Sequence, residues 1–247
     1  MRFLFLIGLL ASVPSSVSAQ VGTVEAPPGT KVNVSLLWGA VRMIGDDEST
    51  VRVARIRTGQ PGDPTVIAES GDPVSVVRSG DEVTITQELP DEKTFASSYI
   101  EVRFPREAPI LIEMLRGGEI SLIGTQGDAE VTNHNGSVRL EDVAGSVRVS
   151  ASNGAITGVI TGPLAPSASF ASLNGEIDLT LPYDASITAR LRTDNGRLRS
   201  DFPVEVTERQ TSLGEGAEVV AEINGGGTPF IATTRSGDVV LRRAVRR

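Results

Sequence analysis

Residues Asn135-Gly136-Ser137-Val138-Arg139-Leu140-Glu141-Asp142-Val143-Ala144-Gly145-Ser146-Val147-Arg148-Val149 decide the fold. Each half opens on glycine and continues as an apolar, a polar and an apolar residue. That alternation is a short strand with one buried and one wet face. Outward from this stretch, glycine recurs at 118, 127, 136, 145 and 154, a spacing of nine held four times. Two positions after each glycine stand Ile120, Ala129, Val138, Val147 and Ile156. Four positions after stand Leu122, Val131, Leu140 and Val149, with Gly158 the exception. Ser121, Glu130, Arg139, Arg148 and Thr157 lie between them on the wet face.

The units alternate in kind. Gly136 and Gly154 follow asparagine, whereas Gly127 and Gly145 follow Gln126 and Ala144, so the repeat is eighteen residues and two strands. It drifts to a spacing of twenty-one at Asn174-Gly175 and Asn195-Gly196, and Ser236-Gly237 comes 41 residues later, about two more turns. A longer module recurs too: Phe104-Pro105 leads to Gly118 and Leu181-Pro182 to Gly196, Pro-to-Gly distances of 13 and 14. Asn-Gly serves sharp corners because glycine accepts positive φ freely and asparagine tolerates it. Corners of this kind fit an antiparallel meander or a solenoid. Two classes of turn and apolar residues at constant phase favour the coil, with like side chains stacked in columns.

The rest of the chain also alternates, as in Val51–Arg57 and Ile100–Phe104, and no window of twelve residues shows a helical period. A single unit cannot stand alone. Its few buried aliphatics contribute ~1.5–3 kcal/mol each at full burial, while ordering nine backbones costs ~1–2 kcal/mol per residue. Stacked neighbours tip that balance, and the end units need caps. The expected organisation is a leader over 1–19, N-terminal β strands and cap over 20–110 continuous with the solenoid, and solenoid repeats over 111–247.

Composition mostly excludes. There is no cysteine and a single histidine, His134, so disulfides, thiolate zinc sites and multi-histidine metal motifs are ruled out. A net charge of −8 argues against nucleic acid as a partner. Arg2, the apolar run Phe3–Val13 and the small residues up to Val17-Ser18-Ala19 have the layout of a secretory signal. Cleavage there removes one charge, Arg2. No later apolar run is long enough to span a bilayer, so export of a chain without a membrane span is expected.

The repeat resembles a bacterial family of exported "putative adhesins", a domain of unknown function built of tandem Gly-x-aliphatic-x-aliphatic strands. Asn135–Val149, Gly225–Gly227 with Arg235–Leu241, and residues 36–45 around Trp38-Gly39 carry the likeness, which extends over roughly residues 25–243. The resemblance implies a β-solenoid-like fold and brings no site residues with it.

Several residues have the chemistry of a site but not its pattern. His134, at a corner between two asparagines, reads as solvated rather than catalytic. Gly225-Gly226-Gly227 lacks the lysine and the strand-to-helix switch of a phosphate loop. The repeats lack the aspartate ladder of calcium-binding nonapeptide rolls. Asp46-Asp47-Glu48, Asp91-Glu92 and Glu141-Asp142 are acidic clusters that read as solvated loops rather than cation sites. Arg139, Arg148 and Arg199 share a repeat phase with Glu130 and Asp178, and together would form a mixed-charge stripe. The basic tail, Arg242-Arg243 and Arg246-Arg247, either touches an anionic envelope polymer or keeps a terminal edge unpaired. No catalytic, cofactor-binding or metal residue is assigned.

The expectation is an all-β, right-handed β-helix-like solenoid. It would act without catalysis or cofactor as a binding, adhesion or scaffolding surface in the periplasm or outside the cell. Its partner would be an envelope protein or polysaccharide. The alternative is a polysaccharide-active β-helix enzyme, a lyase or hydrolase, marked by a groove with two close carboxylates beside an arginine.

Overall fold

Alternating valine, isoleucine and leucine turn one face of each short segment inward, so the chain forms strands and, among the described residues, no helix. The computed structural model describes residues 20–55, 74–87, 98–164, 166–210 and 216–245. The leader, the Asp91-Glu92 cluster and Arg246-Arg247 lie outside the described residues. In chain order the strands are β1 (Gln20–Glu25), β2 (Lys31–Asp46), β3 (Thr50–Arg55), β4 (Val74–Ser79), β5 (Glu82–Gln87), β6 (Ser98–Pro105) and β7 (Ile110–Ile123). The repeat region gives β8 (Ala129–Asn135), β9 (Val138–Val143), β10 (Val147–Asn153), β11 (Ile156–Ile160), β12 (Ala168–Asn174) and β13 (Ile177–Leu181). Then come β14 (Ile187–Asn195), β15 (Leu198–Ser200), β16 (Val204–Gln210), β17 (Ala217–Ile223), β18 (Thr228–Ser236) and β19 (Val239–Arg243).

The strands form two ladders that share one core. The first runs β5-β2-β7-β8-β10-β12-β18-β14. The second runs β6-β2-β7-β9-β11-β13-β19-β15. Long strands β2 and β7 pass from one ladder to the other at Gly39 and Gly118. Every neighbour in both runs is parallel, which a winding chain produces and an up-and-down meander cannot. Among the described residues antiparallel strands appear only at the ends: β4 on β5, β3 on β6 with β1 outside it, and β17 on β14 with β16 outside it.

The stack does not follow chain order. Coil 31–46 lies between β5/β6 and coil 110–123. Coil 228–243 lies between coils 168–181 and 187–200. Chain order places Ser236-Gly237 beyond Asn195-Gly196, whereas in the stack it comes before. The longer Pro-to-Gly module marks both events. After Pro105 and after Pro182 the chain steps over one coil and leaves a slot, and a segment distant in sequence fills it.

Columns of aliphatic residues fill the inside. Val41, Ile120, Val138, Ile156, Ile177 and Val239 form one of them, each in register with the next and all but fully buried. Gly158 interrupts the leucine column, and Leu140 and Leu179 close over it from either side. Bulk alternates with small residues elsewhere. Phe230 has Ala168 and Ala189 as register neighbours, and Phe170 has Val149 and Ala232. The two rings sit 5.4 Å apart.

The glycine corners form a column of their own. A Cβ on Gly118, Gly136, Gly154, Gly175, Gly237 or Gly196 would fall under 3.0 Å from the carbonyl oxygen of the glycine in the coil beneath. Gly136 also has φ +127, which L side chains rarely adopt. Buried polar side chains one turn inside bond those carbonyls. Ser172, Thr234 and Thr193 donate hydroxyls to Gly154, Gly175 and Gly237 at 3.2, 2.9 and 2.8 Å. Ala151 occupies the same position one coil down and has nothing to donate. Asn133 makes up for it, its amide reaching both Gly118 O at 2.9 Å and Gly136 O at 3.0 Å. Asn133→Ala should therefore cost about 1–3 kcal/mol, the range for leaving buried acceptors unmet. Chemical denaturation would measure it, and a loss below about 0.5 kcal/mol would contradict this role.

Candidate binding surface

The wet positions of the first ladder come together on one face. Thr132, Ser150, Ala171 and Thr233 are neighbours across four coils, so the centre of the face carries small uncharged side chains. Leu173 and Ile231 flank that row and stay 45% and 41% exposed. Glu113 and Glu130 lie toward the N-terminal end, and Arg190, Arg192 and Arg235 toward the other. Arg192 is held by Asp194 at 3.0 Å. His134 is exposed on the same face. Its neighbour Asn133, which sequence reading passed over, is the structurally engaged residue. The signal for it was the repeat phase, which turns position 133 inward.

At the edge of the face, asparagines stack. Asn153 donates to Asn135 and Asn174 donates to Asn153, both at 2.8 Å. The inserted coil carries Ser236 at that phase and breaks the ladder before Asn195.

The mixed-charge stripe expected from repeat phase divides in two. Glu130 and Arg148 are neighbours on the first ladder, whereas Arg139, Asp178 and Arg199 lie on the second. Equal phase in successive nine-residue units alternates between ladders, which is the physical reason. Asp178 is bonded by Arg242 through two nitrogens at 2.7 and 2.6 Å, and this hydrogen bonding raises the guanidinium above its usual pKa. Because a raised pKa keeps the cation at every lower pH, that pair loses its positive partner only in strongly alkaline solution. Arg243 lies over the Phe202 ring and donates to Tyr183 O. Arg242 and Arg243 therefore belong to an interior coil, with β13 on one side and β15 on the other, and guard no terminal edge.

Two of the three acidic clusters lie among the described residues. Asp46-Asp47-Glu48 begins the link that carries the chain from β2 across β6 to β3. Arg52 bonds Asp46 at 2.9 Å and Glu48 at 3.0 Å, and Arg106 bonds Asp47 at 2.7 Å. Asp142 is the extra residue of a β-bulge, at φ +54, and accepts a hydrogen bond from the Thr161 hydroxyl. Among the described residues no group of three or more His, Asp or Glu is placed to hold a metal ion.

Two clefts lie along the corner where the second ladder returns to the first. One, of about 580 Å³, is lined by Gln126, Asp142 and Thr161; the other, of about 440 Å³, by Thr161, Leu181, Asp184 and Thr228. They share Thr161, Gly162 and Pro163, so the clefts meet, and neither has a basic side chain in its lining.

Fold and surface together define a class: an all-β, solenoid-like stack with adjoining clefts along one corner. Comparison with known proteins adds the following. A solved putative cell adhesion protein from Clostridium sporogenes ATCC 15579 superposes with a TM-score of 0.50 at 10% identity, over 90% of this chain and 97% of that one. A solved putative adhesin from Bacteroides fragilis NCTC 9343 gives 0.43 at 10% identity, over 94% and 99%. No family profile and no curated protein sequence matches the chain. At such identity the likeness to the Clostridium protein is one of fold.

Proposed function

We propose that the protein is exported by its leader and acts at the bacterial cell envelope as a non-catalytic binding, adhesion or scaffolding surface. The observation that carries this is the register row of Thr132, Ser150, Ala171 and Thr233 with exposed Leu173 and Ile231 beside it. Small uncharged side chains in register over several coils let an extended partner lie close. The exposed aliphatics add apolar area to bury. The folds it resembles bear adhesion names, which agrees with this reading. The enzyme alternative calls for two carboxylates and an arginine in one groove. Asp46, Glu48 and Arg52 have that composition, but they are bonded to one another.

The chain from Gln20, immobilised and exposed to envelope extract with a glycan array run in parallel, tests this. Retention of one envelope protein or glycan is expected, weakened at least about tenfold by Ala171→Arg, which sets a desolvated charge in the middle of the face. Retention unchanged by that substitution would overturn the assigned face. Release of cleaved ends from an acidic polysaccharide would replace the proposal with the enzyme.

A further inference from the structure

Coil 228–243 is bonded on both sides to coils that precede it in the chain, and it reaches them only through the crossover from β17 to β18. The strand β14 lies between those two, antiparallel to one and parallel to the other. The crossover must therefore stride over the start of β14, where Ile187 is in register with both Ile223 and Thr228. Four residues do this, and all four have positive φ: Asn224 at +50, Gly225 at +85, Gly226 at +75 and Gly227 at +151. Asn224 is held in place by donating to Ala185 O at 2.8 Å. A Cβ on Gly227 would lie 2.6 Å from Ser186 O. This is what Gly225-Gly226-Gly227 is for, and it is a conformation that costs free energy in any residue but glycine.

We propose that residues 228–243 form an exchangeable donor coil, and that the slot between coils 168–181 and 187–200 accepts this segment from a second copy of the chain. The slot is made of two parallel edges, β12/β13 and β14/β15, each of which bonds the coil in full register. The same edges meet the same coil whether it arrives from its own chain or from another, so exchange forfeits no ladder bond or core contact. Opening the crossover relieves its one left-handed residue that is not glycine, Asn224, and gives back to the three glycines their conformational freedom. Reciprocal exchange closes a two-fold dimer, which concentration favours. The partner is thus a second copy, and the link between copies is a buried β-coil.

The chain has no cysteine, so thiols can be placed cleanly. Ala171 and Thr233 are outward-facing register partners on β12 and β18, about 4.8 Å apart as adjacent strands are, within disulfide reach. Full-length Ala171→Cys and Thr233→Cys chains would be mixed, unfolded, refolded at high concentration and oxidised. Ser150→Cys with Thr233→Cys, two strands apart, reports random encounter. The expected result is roughly tenfold more covalent dimer from the register pair, since exchange makes that contact intramolecular. Gly227→Ala, which strains only the closed crossover, should raise the yield further. Equal yields from both mixtures would overturn the proposal. One chain carrying both Ala171→Cys and Thr233→Cys should cross-link internally when refolded dilute. Failure of that bond would overturn the coil order itself.

Discussion

Gly136→Val is expected to destabilise the protein by more than about 3 kcal/mol, near the top of the range for a single substitution. Two separate penalties combine. Valine resists a φ of +127, and its Cβ would enter the carbonyl oxygen of Gly118 in the coil beneath. The neighbour cannot give way, because that oxygen belongs to the backbone of a coil held on both sides. Gly80→Ala separates the penalties. Gly80 has φ +58 with open space where a Cβ would go, so only the left-handed cost of ~1–2 kcal/mol applies. Urea titrations of the three proteins measure both. A Gly136 variant no weaker than the Gly80 one would show that the glycine column does not form.

How the sequence reports this column explains what it could and could not disclose. Nine-residue spacing and Asn-Gly corners are local constraints, since each glycine is required by its own φ or by the backbone one coil away. They were therefore legible, and so were the aliphatic columns, whose phase follows from the period of two. The order of the coils was not legible. Coil 228–243 fits its slot because Phe230 meets Ala168 and Ala189 and because Thr234 and Thr193 reach glycine carbonyls. Those complementarities join residues more than thirty positions apart and leave no periodic trace. The Pro105–Gly118 and Pro182–Gly196 modules were visible as a duplication, yet their meaning, a step over one coil, lies in what fills the gap. The charged residues misled for a related reason. Phase says whether a side chain is wet, but the alternation of ladders decides which wet residues meet. So Arg242 finds Asp178, 64 residues earlier, rather than a terminal edge. The surface proposed to bind was equally hidden, because Thr132, Ser150, Ala171 and Thr233 are unremarkable singly and become a face only by stacking.

Phe230→Ala should cost about 3–5 kcal/mol, the usual loss for a fully buried phenylalanine. Phe230 is 0% exposed, and its register neighbours Ala168 and Ala189 are too small to move into the space it leaves. Phe170, 5.4 Å away, also loses an aromatic partner. The substitution tests the coil order because the size pattern has meaning only if β18 lies between β12 and β14. Were coil 228–243 at the end of the stack, as chain order would place it, one side of Phe230 would face a cap and the hole could relax. The order also predicts a rescue. Phe230→Ala combined with Ala189→Leu returns bulk to the same column from the next coil and should recover at least about 1 kcal/mol of apolar burial. Ala189→Leu alone, with Phe230 in place, overfills the column and should destabilise by about 1–3 kcal/mol. A substitution harmful alone yet helpful beside Phe230→Ala requires the two side chains to share one space. Strictly additive effects in the double-mutant cycle would mean that they do not.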